Sequence, residues 1–384
     1  MHTLESFATS CGVKINKPYI YEKYYPLNFD KYIILDTNDG KAPAKNYDFW
    51  QEVVALILPE LNKANIKILQ ICSQNDPKLL NAYTVVGETY NQKAYLIKNA
   101  QLYAGSNNFG IQLASYLNKK IIALYGNIYA AQNKPYWSED EDITLIEGFE
   151  KGKPSYAAQE QPKLINEIKP DKVAESILNK LDIKPNIKYK FTSVGSNFNT
   201  KTIEMLPTMI VNCQAFNVPH IIVRMDLHFS ETVLETQLTQ NKCIIVTAKA
   251  ISEDIIKKYK ANIVQVIYVI EKDNDPNFIK LLKNLNIQYA LISYLYQEEI
   301  NKIKINYMDL GLIIKVQTKT KQDLNVKGKY YKSNHFILSD NKLYMSEAAV
   351  EKDLPIKDFN ENIQEIIDTD TFWKYAQNYA FLVD

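Results

Sequence analysis

Arginine is almost missing from this chain. Of its 45 basic residues only Arg224 is an arginine; the others are lysines, set against 44 acidic residues for a formal charge of +1. No global field of either sign therefore draws the chain toward nucleic acid or an anionic membrane. Long apolar runs are missing too. The longest, such as Ile263–Ile270, are strand-sized, so no membrane-spanning helix is expected. Cys11, Cys72, Cys213 and Cys243 are scattered without a C-x-x-C pair, which fits buried reduced thiols in a cytoplasmic protein. His2, His220 and His335 lack metal-ligand spacing with acidic or cysteine partners, so neither a metal nor a cofactor is expected. Met1–Cys11 mixes charged and polar residues without the apolar core of a signal peptide, again pointing to the cytoplasm. GxxxxGK[ST], GxGxxG after a strand, HExxH and GxSxG are all absent, which argues against a P-loop kinase, a typical dehydrogenase, a zincin and an α/β-hydrolase.

What remains is length and alternation. A chain of 384 residues has room for two domains, each with its own core. The most informative stretch is Thr84–Trp137. It reads as a turn at Gly87, a helix over Gln92–Asn99, a strand at Leu102–Tyr103 and a polar break at Gly105-Ser106-Asn107-Asn108. A helix over Phe109–Leu117, a strand over Ile121–Tyr125 and a loop at Gly126-Asn127 follow. Strand, polar turn, helix, strand is a βαβ unit, and its turn presents unpaired N–H groups at a helix N-terminus, where anions bind.

The same stretch resembles the heptosyltransferase-like glycosyltransferases. Gly87-Glu88-Thr89, Ala100-Gln101-Leu102, Gly105, Leu113-Ala114 and Ala123-Leu124-Tyr125-Gly126 fall in step with that family's order of motifs. Upstream, Tyr32–Leu35 is similar to the family's first donor-domain strand, Lys45-Asn46-Tyr47 to its K-x-W element, and Asn65–Ser73 to the strand after it. Ile168–Leu181 is similar to its closing helix, so the resemblance covers roughly residues 30–183. It implies a domain that binds a nucleotide-sugar donor, with Lys45, Ser106, Asn107, Asn108, Gly126 and Asn127 on the nucleotide phosphates or ribose. It also implies a GT-B architecture, two Rossmann-like domains facing across a cleft, here with the donor-like half first. Where the family carries D-S-G and a histidine, this chain carries Asn107-Asn108-Phe109 and Gln112; amides hydrogen-bond but move no proton.

Residues 1–29 read as an N-terminal arm of a short helix and a tyrosine-rich segment. After a linker at Ile183–Asn186, residues 187–350 alternate again. Strands are expected at Lys188–Ser193, His220–Arg224, Cys243–Thr247, Ile263–Ile270 and Ile287–Ile292. Helices are expected at Thr202–Phe216, Glu231–Gln240, Ser252–Lys260, Pro276–Leu285 and Gln297–Lys304. Such alternation implies a second parallel-sheet, Rossmann-like domain. A β-hairpin is expected around Ser339-Asp340-Asn341, and residues 351–384 read as a helical C-terminal segment, with Ile363–Phe381 as its helix.

Arg224 leaves a strand at its carboxyl end, where open parallel sheets bind ligands. Its scarcity points to a planar fork that lysine does not supply, either for a diphosphate or for a structural pair with Asp226. Asp226 and His228 alternate with it and are candidate bases for an acceptor hydroxyl. Lys45 is either a phosphate ligand or a solvated lysine, and Ser106–Asn108 either an anion site or plain helix caps. Three functions stay open. The first is metal-independent transfer of a sugar from a nucleotide diphosphate to a hydroxyl acceptor. The second is a binding or structural protein that keeps the fold without the chemistry. The third is glycosylation of a modified DNA base, for which near-zero charge offers little backbone attraction.

Overall fold

The computed structural model describes residues 1–37, 42–74, 76–149, 152–272, 274–316, 321, 323–324 and 326–384. The chain divides into two compact units, Met1–Phe191 and Thr192–Asp384.

The first unit is built on six parallel strands. These are β1 (Tyr32–Asp36), β2 (Lys67–Ile71), β3 (Tyr83–Val85), β4 (Leu102–Ser106), β5 (Lys120–Tyr125) and β6 (Ile143–Glu147). Their order is β3-β2-β1-β4-β5-β6, the doubly wound Rossmann order, whose direction reverses between β1 and β4. The helices are α1 (Thr3–Cys11), α2 (Trp50–Lys63), α3 (Tyr90–Asn99), α4 (Phe109–Tyr116), α5 (Ala130–Asn133) and α6 (Pro170–Lys180). Every residue of β1 and β4 is buried, as expected of central strands covered on both faces. On α2, Trp50, Val53, Val54, Ile57 and Leu61 recur at helical spacing and are buried, and α2 packs on α6. Helix α3 opens with a capping box between Thr89 and Gln92. Because β3→β4 and β4→β5 cross in the same direction, right-handed connections put α3 and α4 on one face, where they touch. The aromatic segment of the N-terminal arm packs Ile20, Tyr25, Leu27 and Phe29 against this core.

The second unit has a different winding. Its larger sheet contains β8 (Thr202–Met205), β9 (Ile221–Arg224), β10 (Cys243–Thr247), β11 (Ile263–Val269), β12 (Tyr289–Ser293) and β13 (Ile313–Lys315). The hairpin β15 (His335–Ser339) and β16 (Lys342–Tyr344) completes it. The order β13-β12-β11-β10-β9-β8-β15-β16 runs sequentially through the parallel strands β8–β13, so this half is parallel α/β but not Rossmann-ordered. Sequential order with right-handed connections sets the intervening helices on one face. They are α7 (Cys213–Phe216), α8 (Glu231–Gln240), α9 (Glu253–Lys258), α10 (Pro276–Asn284) and α11 (Gln297–Ile303). A second sheet, ordered β17-β14-β18-β7, comprises β7 (Lys190–Val194), β14 (Tyr330–Ser333), β17 (Ile363–Glu365) and β18 (Tyr379–Val383). With α12 (Glu347–Glu351) and α13 (Asp370–Lys374), it brings Tyr331, Phe372, Trp373, Tyr379 and Phe381 into the unit's core.

Two expected helices are corrected here. Thr202–Phe216 is strand β8 and a single short helix α7, because β8 is taken up between β9 and β15 and Pro207 bars a helix from running on. Ile363–Phe381 is strand, short helix and strand. Its last aromatics lie on β18, paired antiparallel with β14. The hairpin falls where expected: Asp340 and Asn341 have φ of 49° and 60°, the paired left-handed geometry that joins two strands tightly.

Two glycines let the segment around residues 164–165 lie against the strand ends of the first unit. A Cβ on Gly126 would stand 2.6 Å from Ile165 Cβ, and one on Gly148 would stand 2.1 Å from the Leu164 carbonyl oxygen. Gly148→Ala is therefore expected to lower the unfolding free energy in urea by about 1–3 kcal/mol, the scale of overpacking. An unchanged urea midpoint would show that this backbone contact is not needed.

Candidate functional site

The reversal of strand order in the first unit brings the carboxyl ends of β1 and β4 side by side. That is where doubly wound sheets bind ligands. Asp36 closes β1 opposite Gly105, and Ser106 closes β4 opposite Leu124 of β5. Asp36 is buried and its Oδ2 accepts two bonds of 2.5 Å, one from Lys93 Nζ of α3 and one from the Tyr103 hydroxyl of β4. The same phenol oxygen lies 3.1 Å from Asn108 Oδ1, which caps α4 by accepting from the Ile111 N–H. A Cβ on Gly110 would stand 2.0 Å from that phenol oxygen, so only glycine fits. Burial pushes the Tyr103 phenol far up, and the neighbouring Asp36 adds to the effect, so it remains a donor. Burial also raises the Glu88 carboxyl, with Asp36 adding and Lys93 opposing. Asp36, Lys93 and Tyr103 carried no motif in the sequence, and Glu88 was only the unassigned middle residue of Gly87-Glu88-Thr89. What would have found them is an acid ending a buried strand at the point where the strand order reverses.

Around this network stand the residues named from sequence. Ser106 is 3% exposed and Asn127 6% exposed, and neither Ser106 Oγ nor Asn127 Oδ1 has a hydrogen-bond partner among the described residues. Buried polar atoms are normally paired, so two orphans on adjacent strand ends need a reason. Asn127 is held in place otherwise: its Nδ2 donates to the Ala157 carbonyl at 2.8 Å, and its own carbonyl accepts from Tyr156 N–H. Lys45 is half-buried at the end of a short turn, Pro43–Lys45, and the Ala44 N–H donates to the Ala158 carbonyl at 3.0 Å. The 156–158 segment thus ties the Lys45 turn to the Gly126-Asn127 turn. Between Asp36 and that turn, residues 38–41 of the loop lie outside the described residues. Asn107 is buried, its N–H spent on the Leu124 carbonyl. Asn108 acts as a helix cap. Gln112 is fully committed to structure: Nε2 donates to the carbonyls of Asn133 and Lys134, and Oε1 accepts from Tyr136 N–H.

In the second unit Arg224 is 4% exposed and its fork is already filled. Nε and Nη2 donate to the two oxygens of Asp226 at 2.8 Å each, Nη1 to Glu204 Oε2 at 2.6 Å, and Nη2 to Glu347 Oε2 at 3.1 Å. His335 Nε2 meets Glu204 Oε1 at 2.6 Å. The fork expected to hold a diphosphate thus holds carboxylates of its own unit, and Asp226 has both oxygens tied. His228 is exposed. Burial alone would raise the Glu204 carboxyl, but Arg224 and His335 outweigh it and hold it at about 2. The cavity beside this cluster, lined by Ile337, Met345, Ser346 and Asn378 among others, has about 10 Å³ of free space, room for roughly one water. Among the described residues no group of three or more His, Cys, Asp or Glu side chains is placed to hold a metal ion, and no helix is long and apolar enough to cross a membrane.

A filled fork makes a stability prediction. Arg224→Met strands three carboxylates and is expected to cost roughly 3–5 kcal/mol in urea unfolding. Arg224→Lys should recover only part of that, because an ammonium cannot bridge the same oxygens. Since the folded-state value of Glu204 lies below its usual 4.5, its contribution is complete above that pH and is lost as the pH falls toward about 2. Glu204→Gln should flatten the fall in urea midpoint between pH 6 and 3. A lysine variant as stable as the parent, or an unchanged pH slope, would contradict this description.

No family model matches the chain, and no curated protein matches it. Solved structures do. A glycosyl transferase of family 9 from Veillonella parvula DSM 2008 is 13% identical with a TM-score of 0.32, over 46% of this chain and 49% of that one. The ADP-heptose LPS heptosyltransferase II of E. coli is 16% identical with a TM-score of 0.31, over 46% and 50%. The E. coli heptosyltransferase WaaC, in its structure with ADP, is 14% identical with a TM-score of 0.31, over 46% and 54%. The chain spans about half the length of these neighbours.

Proposed function

We propose that the first unit binds a nucleotide-diphosphate sugar at the carboxyl ends of β1, β4 and β5, and that the chain transfers the sugar to a hydroxyl acceptor. The observation that carries this reading is the pair of orphaned buried oxygens, Ser106 Oγ and Asn127 Oδ1, on neighbouring strand ends. Their chemistry is complementary. A serine hydroxyl donates to a phosphate oxygen, while an amide oxygen accepts from a sugar or ribose hydroxyl. The N-terminus of α4 supplies partial positive charge for the phosphates, and Lys45 a full charge.

In the transfer the acceptor oxygen forms a bond to the anomeric carbon as the bond from that carbon to the diphosphate oxygen breaks. The leaving diphosphate keeps the electron pair, which Lys45 and the helix terminus stabilise. The acceptor proton passes to a base. Of the two candidates named from sequence, His228 is exposed, whereas both oxygens of Asp226 are held by Arg224. One observation favours a second reading, binding without turnover: Gln112, where the resembled family has a histidine, is wholly engaged in holding residues 133–136.

A thermal-shift panel of UDP-, ADP-, GDP- and CMP-sugars tests the binding step. At least one is expected to raise the melting midpoint by mass action, and Ser106→Ala to weaken it by about 1.5–3 kcal/mol, the worth of a hydrogen bond to a charged group. No shift at millimolar concentration would remove the reading. Steady release of nucleoside diphosphate from a donor, lowered in Ser106→Ala, separates transfer from binding alone. Binding with no release would favour the second reading.

A further inference from the structure

Two large rings stand exposed at the N-termini of α3 and α4. Tyr90 is the first residue of α3 and Phe109 the first residue of α4, and they are 75% and 54% exposed. Their centroids are 5.3 Å apart and their planes 75° apart, so the two rings form an open corner, edge against face. Neither ring belongs to the core beneath, yet each sits beside a group that does fixed work. Tyr90 follows the Thr89 cap and lies three residues before Lys93, which binds Asp36; Phe109 directly follows Asn108. Leaving both rings in water forgoes the stabilisation that burial would give, and nothing in α3 or α4 requires an aromatic at the first helical position.

We propose that this corner stacks the base of a nucleotide whose phosphates lie on the Ser106–Asn108 turn. The inference rests on the phosphate reading of that turn and adds the other end of the ligand. A nucleotide places its base one ribose away from its phosphates, and Phe109 is the next residue along the chain from the turn. The corner offers one ring for a base to lie on and a second ring against its edge. A π-surface holds any base and reads none by its hydrogen-bonding edge, so the site favours purines over pyrimidines through stacking area and separates adenine from guanine poorly.

Titration calorimetry on the full chain with ADP, UDP and inorganic pyrophosphate tests this, since pyrophosphate carries the phosphates without a base. Tyr90→Ala and Phe109→Ala are each expected to weaken ADP about tenfold or more, to weaken UDP less, and to leave pyrophosphate within twofold; Tyr90→Phe keeps ADP binding. Unchanged pyrophosphate binding also shows that the variants are folded. Should pyrophosphate bind while ADP is indifferent to both alanine variants, the stacking inference falls and the phosphate site stands. Equal loss of ADP and pyrophosphate would make the rings structural and overturn it as well. If the parent binds neither ADP nor pyrophosphate, the phosphate reading fails and this inference with it.

Discussion

A single buried carboxylate organises the first unit. Asp36 would be costly inside a doubly covered sheet were it not paired and hydrogen-bonded, and it is both, through Lys93 and Tyr103. Those partners come from α3 and β4, so one side chain on β1 fixes three elements at the point where the strand order reverses. The consequence reaches the turn itself. Tyr103 supports Asn108, Asn108 caps α4, and Gly110 is small enough to let the helix begin against the phenol. A helix N-terminus held this rigidly presents its N–H groups in a fixed direction, which is what a phosphate site needs before a ligand arrives.

The second unit uses the same physics to another end. Its buried carboxylates converge on the chain's one arginine, which binds Asp226 with two donors and reaches Glu204 and Glu347 with others. An ammonium has no planar fork, so this position resists the lysine that serves everywhere else. The lone arginine is the centre of a structural ion cluster, its fork holding carboxylates of its own unit. In this unit the parallel strands follow one another in sequence, and a buried ion cluster ties β8, β9, β15 and α12 together.

Much of the first unit was legible because its signals are local. Buried strands such as Ile121–Tyr125 read as continuous apolar runs, and polar turns such as Gly105–Asn108 punctuate them. Less of the second unit was legible. Thr202–Met205 is a strand because β9 and β15 flank it, and β15 arrives some 130 residues later, beyond the reach of any local pattern. The C-terminal aromatics misled for the same reason, since Tyr379–Val383 is defined by pairing with β14. At the candidate site the turn residues were named from sequence, whereas Asp36, Lys93 and Tyr103 were not. Their meeting depends on strand order, which alternation alone does not specify.

The most direct test of the central claim is a crystal structure of the chain with a nucleoside diphosphate bound. The expected result is a phosphate oxygen accepting from the Ser106 hydroxyl at the N-terminus of α4, with Lys45 beside it and a ribose hydroxyl donating to Asn127 Oδ1. A nucleotide bound elsewhere, with Ser106 Oγ and Asn127 Oδ1 still unpartnered at saturating ligand, would contradict it.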